Sequence, residues 1–219
     1  MRKGRLFVLS GPSGTGKGTI CKAVMAQGDP ELALSVSMTT RAPRQGEVHG
    51  VSYYFVTQEE YDKTVETGGF LEHAGIYGNC YGTPKAPVLE KLNSGTDVIL
   101  EIEMQGAMQV KQSYPDARLI FILPPSMEVL KERLRGRGTE TEEQLERRTR
   151  SALEEIHKVS DYDYFVVNDK LEDAVAKVNA IISAGRQEVD DADDIINKYE
   201  VTNEKNSEYS VEFNPSNDF

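Results

Sequence analysis

Cysteine is scarce: 219 residues hold two, Cys21 and Cys80. They are too few and too far apart for a disulfide scaffold or a metal-ligand spacing, which predicts free thiols in a reducing compartment, the cytoplasm. Long hydrophobic runs are missing as well. Behind the basic Arg2, Lys3 and Arg5, the apolar stretch 6–9 meets polar Ser10, too short for a signal peptide or a membrane span, so no targeting segment is expected. No internal repeat is visible. Positive charge is also short, with a formal net charge of −11, but the deficit is uneven. Residues 186–219 carry ten acidic and three basic residues, leaving 26 acidic and 22 basic over 1–185. The body is near balance. Its arginines cluster at Arg41 and Arg44 and again within 133–150, which permits local positive fields, while the charge distribution as a whole argues against a general nucleic-acid binder; no nucleic-acid or membrane partner is expected.

What the chain does contain is a βαβ rhythm. Apolar or β-branched runs at 6–9, 98–102, 119–123 and 165–167 alternate with helical patterns, the signature of a parallel sheet in an α/β fold with helices on both faces. Helices are predicted after residue 19, and over 126–134, 141–157 and 171–184. In the third, Leu145, Thr149, Ala152, Leu153 and Ile156 form an apolar stripe expected to pack in the core. From 34 to 87 the pattern turns aromatic and glycine-rich, with Tyr53, Tyr54, Phe55, Phe70, Tyr77 and Tyr81 and a single helix signal at 58–66, which predicts an inserted lobe. The acidic, asparagine-rich end from 186 to 219 predicts a short helix and then a tail without a core.

GPSGTGKGT at 11–19 follows the strand LFVLS and opens a helix, the context that the G-x-x-x-x-G-K phosphate loop requires. Gly11, Gly14 and Gly16, with Pro12, Ser13 and Thr15 between them, let successive backbone N–H groups face one anion at a helix N-terminus. Lys17 supplies a point charge for the β- and γ-phosphates. The residue after it, commonly a Mg²⁺-touching Ser or Thr, is Gly18; Thr19 follows about 100° further round the helix, which leaves metal ligation by Thr19 open. Glu101 at the end of a strand, with Glu103 beyond it on the same side, could hold Mg²⁺ through its waters.

No N-K-x-D stretch or water-positioning element of a GTPase is found, so transfer to a small acceptor is favoured. Arg41 and Arg44 in TTRAPRQGE can fork around a phosphate with Tyr53 and Tyr81 as phenolic donors. Guanine offers N1–H and an exocyclic NH₂ along one edge, which one carboxylate can accept together while a hydroxyl donates to O6. Glu72, Ser37 and Thr83 are suitable types. Gly136 and Gly138 flank Arg137 as hinges, Thr139 with Glu142 makes a capping box, and Arg148 lies off the apolar stripe of the following helix.

Together, GPSGTGKGT, SVSMTTRAPRQGEVHGVSYYFV, GGFLEHAGIYGNCYGTP, VILEIEMQGA, LRGRGTETEEQLERR and VVNDKLEDA resemble guanylate kinases in order and spacing over residues 4–184. The resemblance implies a P-loop nucleoside monophosphate kinase fold. Its core would be 1–33, 88–135 and 159–185, its GMP-binding lobe 34–87 and its helical lid 136–158, with 186–219 outside the match. It implies phosphorylation of GMP, and of dGMP, by ATP with Mg²⁺. Ser37, Glu72 and Thr83 would then bind guanine, and Arg41, Arg44, Tyr53 and Tyr81 the GMP phosphate, with Glu103 beside the nucleotide and Glu101 near Mg²⁺. Arg137 and Arg148 would reach the transferring phosphates from the lid, and Asn168 would lie near adenine. Two alternatives stay open at this point: a kinase-like interaction module without turnover, and another nucleoside monophosphate kinase.

Overall fold

The computed structural model describes residues 2–76, 78–136, 141–189 and 196. Arg2–Arg186 forms one compact unit, and the chain from Gln187 on belongs to another, described at 187–189 and 196. The expectation of a short helix and tail therefore lies almost wholly outside the described residues, as do Tyr77 and Arg137.

In chain order the core begins with β1 (Leu6–Ser10), α1 (Lys17–Met25) and β2 (Leu32–Leu34). The lobe follows as β3 (Met38–Thr39), β4 (Tyr54–Phe55), α2 (Gln58–Glu66), β5 (Phe70–Ile76) and β6 (Asn79–Pro84). The core resumes with α3 (Lys85–Asn93), β7 (Asp97–Glu101), α4 (Met104–Ser113) and β8 (Arg118–Leu123), then α5 (Met127–Arg135), α6 (Glu142–Ile156), β9 (Tyr164–Val167) and α7 (Leu171–Gly185).

Five strands make one parallel sheet in the order β2-β7-β1-β8-β9. Its central strands are apolar on both faces because helices cover both. Phe7, Leu9, Ile99, Ile120 and Ile122 face α1 and α7, meeting Ile20, Val24, Val175, Val178 and Ile182. Leu6, Val8, Val98, Leu100 and Leu119 face the other way, onto Val88 and Leu92 of α3 and Ala107 and Val110 of α4. Every strand is parallel, so every carboxyl end lies along one edge, where ligands bind in such sheets.

The lobe is a four-stranded sheet, β4-β3-β6-β5, antiparallel except for the β3–β4 pair. It begins later than expected: Leu34 belongs to β2 of the core sheet, paired with Ile99. Beside it, α2 carries a capping box between Thr57 and Glu60. The predicted cap of α6 needs correction. The box joins Thr141 to Gln144 instead of Thr139 to Glu142, and Thr139 lies outside the described residues. The apolar stripe of α6 is also narrower than expected. Leu145 and Ala152 pack on Leu130 and Leu134 of α5, while Leu153 is 46% exposed, since at 3.6 residues per turn it stands about 80° from Leu145. No helix among the described residues is long and apolar enough to cross a membrane.

At the amino edge of the sheet, the fully buried Asp97 ties three segments together. Its carboxylate accepts from the Arg5 N–H (2.7 Å), from Arg2 Nη2 (3.2 Å) and from Arg186 Nε (2.6 Å). Arg186 also pairs with Asp29 at 2.7 Å. Removing the carboxylate leaves a buried N–H and two half-buried guanidiniums without their shared partner. Asp97→Ala is expected to cost about 3 kcal/mol, the low end for a broken buried pair, since both arginines keep some access to water. A urea melt should show the lost midpoint, and an unchanged midpoint would contradict the hub.

Candidate active site at the carboxyl edge

The chain leaves β1 into the loop 11–16, which closes only because three glycines permit it, Gly14 at φ 89° among them. Gly11 takes φ 135° and Gly16 φ 91°. A Cβ on Gly11 would stand 2.5 Å from the Ile122 carbonyl oxygen, and one on Gly16 2.4 Å from Asn168 Nδ2. No side chain caps α1 at Gly16, so its first-turn N–H groups are left to an anion. Lys17, 8% exposed, folds back to donate to the carbonyls of Gly11 (2.6 Å) and Pro12 (3.2 Å). The loop is braced from below: Thr15 Oγ1 donates to the Pro12 carbonyl (2.9 Å), and Asn168 Nδ2 donates to that of Thr15 (2.7 Å).

Asn168 thus supports the loop directly, and its own carbonyl accepts from Arg133 Nη2 at 3.0 Å. Arg133 Nη1 is buried without a hydrogen-bond partner among the described residues. Sequence reasoning passed over Arg133, which is one of many arginines between 133 and 150. From α6, Arg148 Nη2 reaches across to donate to Ser13 Oγ at 2.6 Å, which brings this expected lid arginine onto the phosphate loop.

Glu101, at the end of β7, packs against the first turn of α1. A Cβ on Gly18 would be 3.1 and 3.3 Å from its two carboxylate oxygens. Gly18 therefore faces the carboxylate, while the Thr19 side chain is exposed; the metal role left open for Thr19 gains no support. Water reaches Glu101, yet the surrounding protein still raises its carboxyl above the usual range, with Lys17 pulling it down and Glu103 adding to the rise. Among the described residues no three His, Cys, Asp or Glu side chains cluster as a metal cage. Glu103 stands at the N-cap position of α4 without a side-chain capping bond and is exposed. It lines a cavity of about 640 Å³ with Gln109, Glu155 and Lys158, to which neither Glu72 nor Lys17 contributes.

In the lobe, the pairing of β5 with β6 places Glu72 opposite Thr83. Glu72 is 7% exposed and Thr83 fully buried, and Thr83 Oγ1 donates to Glu72 Oε1 at 2.7 Å. Burial raises the Glu72 carboxyl, and the hydrogen bonds from Thr83 lower it. Ser37 precedes β3, and its carbonyl accepts from the Tyr54 N–H at 2.9 Å.

Arg41 lies over the rings of Tyr53 (5.6 Å) and Phe55 (5.9 Å), and Tyr53 meets Tyr81 edge-on. A residue the sequence reading missed holds this group. Glu47 accepts from Arg41 Nη2 (2.8 Å) and from the Arg44 N–H (2.7 Å). The Glu47 hydrogen bond is the main cause of the raised Arg41 pKa; burial opposes it, and a bond to Tyr81 adds to it. The signal was an acid three residues beyond Arg44, to which the sequence pattern assigned no part. The Arg44 side chain itself is exposed.

The guanylate kinase family model matches residues 3–185. A guanylate kinase of Clostridium tetani is 56% identical over 196 residues, covering 90% of this chain and 93% of that one. That of Clostridioides difficile is 52% identical over 189 residues, 86% of this chain and 92% of the relative. The crystal structure of a guanylate kinase from Anaplasma phagocytophilum superposes with a TM-score of 0.68 at 32% identity, covering 86% and 89% of the two chains.

Glu47→Gln keeps one acceptor but removes the charge that holds Arg41 and the 41–47 turn together. Loss of preorganisation should outweigh relief of repulsion, because the arginine must then be ordered by the ligand itself. Calorimetry should show GMP binding weakened about tenfold with ATP unchanged. Tighter GMP binding would mean that Glu47 acts as a competing anion.

Proposed function

From its membership of the guanylate kinase family, the ATP:GMP phosphotransferases, to which this chain belongs, we propose the part each of its residues takes in moving the γ-phosphoryl group of ATP to GMP. The first-turn N–H groups of α1 and the loop 11–16 bind the ATP phosphates, and Lys17 turns from its carbonyl partners to the β- and γ-oxygens. Arg148, already at Ser13, and Arg137 neutralise the charge that spreads over the transferring group. Asn168 keeps the loop in shape beneath the nucleotide.

The acceptor is the GMP phosphate, already anionic near neutral pH, so in-line attack needs positioning and charge neutralisation more than a general base. Arg41, Arg44, Tyr53 and Tyr81 hold that phosphate, and Glu103 stands beside the nucleotide. Glu101 fits Mg²⁺ as a hard oxygen donor set against the phosphate loop beside Gly18, where no side chain intervenes. It would hold the ion through water, and the bound ion would supply charge neutralisation of the β- and γ-oxygens. Closure of the lid over this edge excludes water, which would otherwise take the phosphoryl group. Two free cysteines, Cys21 buried and Cys80 half-buried, fit a cytoplasmic setting.

Guanine selectivity rests on one observation: a buried carboxylate, Glu72, oriented by Thr83. In this reading the Thr83 hydroxyl keeps its hydrogen bond to Glu72 rather than turning to guanine O6. Ser37 takes that part, and Glu72 accepts N1–H and the exocyclic NH₂ together.

Glu72→Gln replaces a two-oxygen acceptor by an amide with two donor hydrogens. A hydrogen bond to a charged group contributes about 1.5–3 kcal/mol, so kcat/KM for GMP should fall about ten- to a hundredfold. KM for ATP should stay put. IMP lacks the exocyclic NH₂ and already forgoes one bond, so the GMP-over-IMP preference should shrink. Steady-state kinetics with both acceptors test this, and wild-type discrimination in the variant would remove Glu72 as the guanine reader.

A further inference from the structure

Gly106 is an unexpected residue for its place. It is buried in the first turns of α4, where glycine lowers helix stability relative to alanine. Its backbone is not in the left-handed region, so conformational freedom does not explain it. Space does: a Cβ there would stand 2.7 Å from Glu72 Oε2, 3.2 Å from Cδ and 3.3 Å from Cγ. We propose that Gly106 is a specificity-determining position that sets how deeply the Glu72 carboxylate withdraws from the guanine pocket. The inference rests on Glu72 being the guanine reader.

Two features keep the helix and the carboxylate from giving way. On each side of Glu72 in sequence, β5 is fastened to α4. The Gln109 side-chain amide accepts from the His73 N–H (3.0 Å) and donates to the His73 carbonyl (3.1 Å). Ser113 Oγ donates to the Leu71 carbonyl at 3.0 Å. Glu72 itself has little room, being 7% exposed with Oε1 bound to the buried Thr83. A methyl at position 106 can be relieved only by moving the carboxylate off Thr83 and toward the base. The two guanine donors then lose their common acceptor geometry. The ATP side is untouched, because the loop 11–16 takes no contact from Gly106.

The test is Gly106→Ala made in wild type and in Glu72→Asp, whose carboxylate is shorter by one methylene and leaves room for the methyl. In wild type, Gly106→Ala should raise KM for GMP at least about tenfold, the size expected from losing one charged hydrogen bond. KM for ATP should be unchanged, and the urea midpoint unchanged or higher. In the Glu72→Asp background the same substitution should change kcat/KM by less than about twofold, a non-additivity that a loss of general packing does not produce. If Gly106→Ala fails to fold alone, its recovery in the double variant reports the same coupling; failure in both backgrounds overturns the proposal. So does an unchanged KM for GMP, or an equal loss in both backgrounds. The guanine-reader assignment fails separately, if Glu72→Asp alone keeps wild-type GMP-over-IMP discrimination.

Discussion

Lys17 can stand over the phosphate loop only because the chain passes through residues 11–16 closer to β8 than a side chain would allow. A Cβ on Gly11 would fall 2.5 Å from the Ile122 carbonyl. That close passage follows from the sheet order: β1 lies between β7 and β8, and its exit is flanked by both neighbours. The end of β7 then delivers Glu101 to the first turn of α1, and the residue after β9 delivers Asn168 to the underside of the loop. Parallel strands in register bring to one place groups as far apart in sequence as Thr15 and Asn168, 153 positions.

The acceptor side uses carboxylates to do what an acidic protein otherwise makes difficult. A chain of net charge −11 keeps Arg41 and Arg44, the arginines we propose for the phosphate, ordered by giving them a nearby anion, Glu47, which fixes the Arg41 side chain and the Arg44 backbone together. Glu72 is the opposite case, a buried carboxylate with no ion pair among the described residues, oriented by a hydroxyl. Leaving such a group in a folded protein carries a desolvation cost that lowers stability, and in the reading proposed above a base with two adjacent donors would compensate that cost. Both devices sit on the lobe, whose β5 is clamped to α4, the helix that begins just past Glu101 and Glu103.

Much of this was legible in the sequence because the relevant signals are local and periodic. The central strands read as apolar runs since both faces are covered, and α2, α5 and α7 fell within a residue of their predicted bounds. Short strands such as β3 and β4, two residues each, carry no period and were seen only as an aromatic region. The helix α4 was not named in advance because Gly106 and its glutamines dilute the apolar stripe, and the glycine is there for Glu72, a residue 34 positions earlier. Nothing in sequence reveals that β5 sets Glu72 opposite Thr83, whose hydroxyl donates to Glu72 Oε1. Residue types were readable; the direction of each hydrogen bond was not.

A structure of the GMP complex tests most directly how guanine meets Glu72. The expected result has the two Glu72 oxygens within hydrogen-bond distance of guanine N1 and its exocyclic nitrogen, Thr83 still donating to Oε1, and the Arg41 guanidinium on the GMP phosphate with Glu47 behind it. A base seated elsewhere, or seated with its O6 toward Glu72, would contradict the reading.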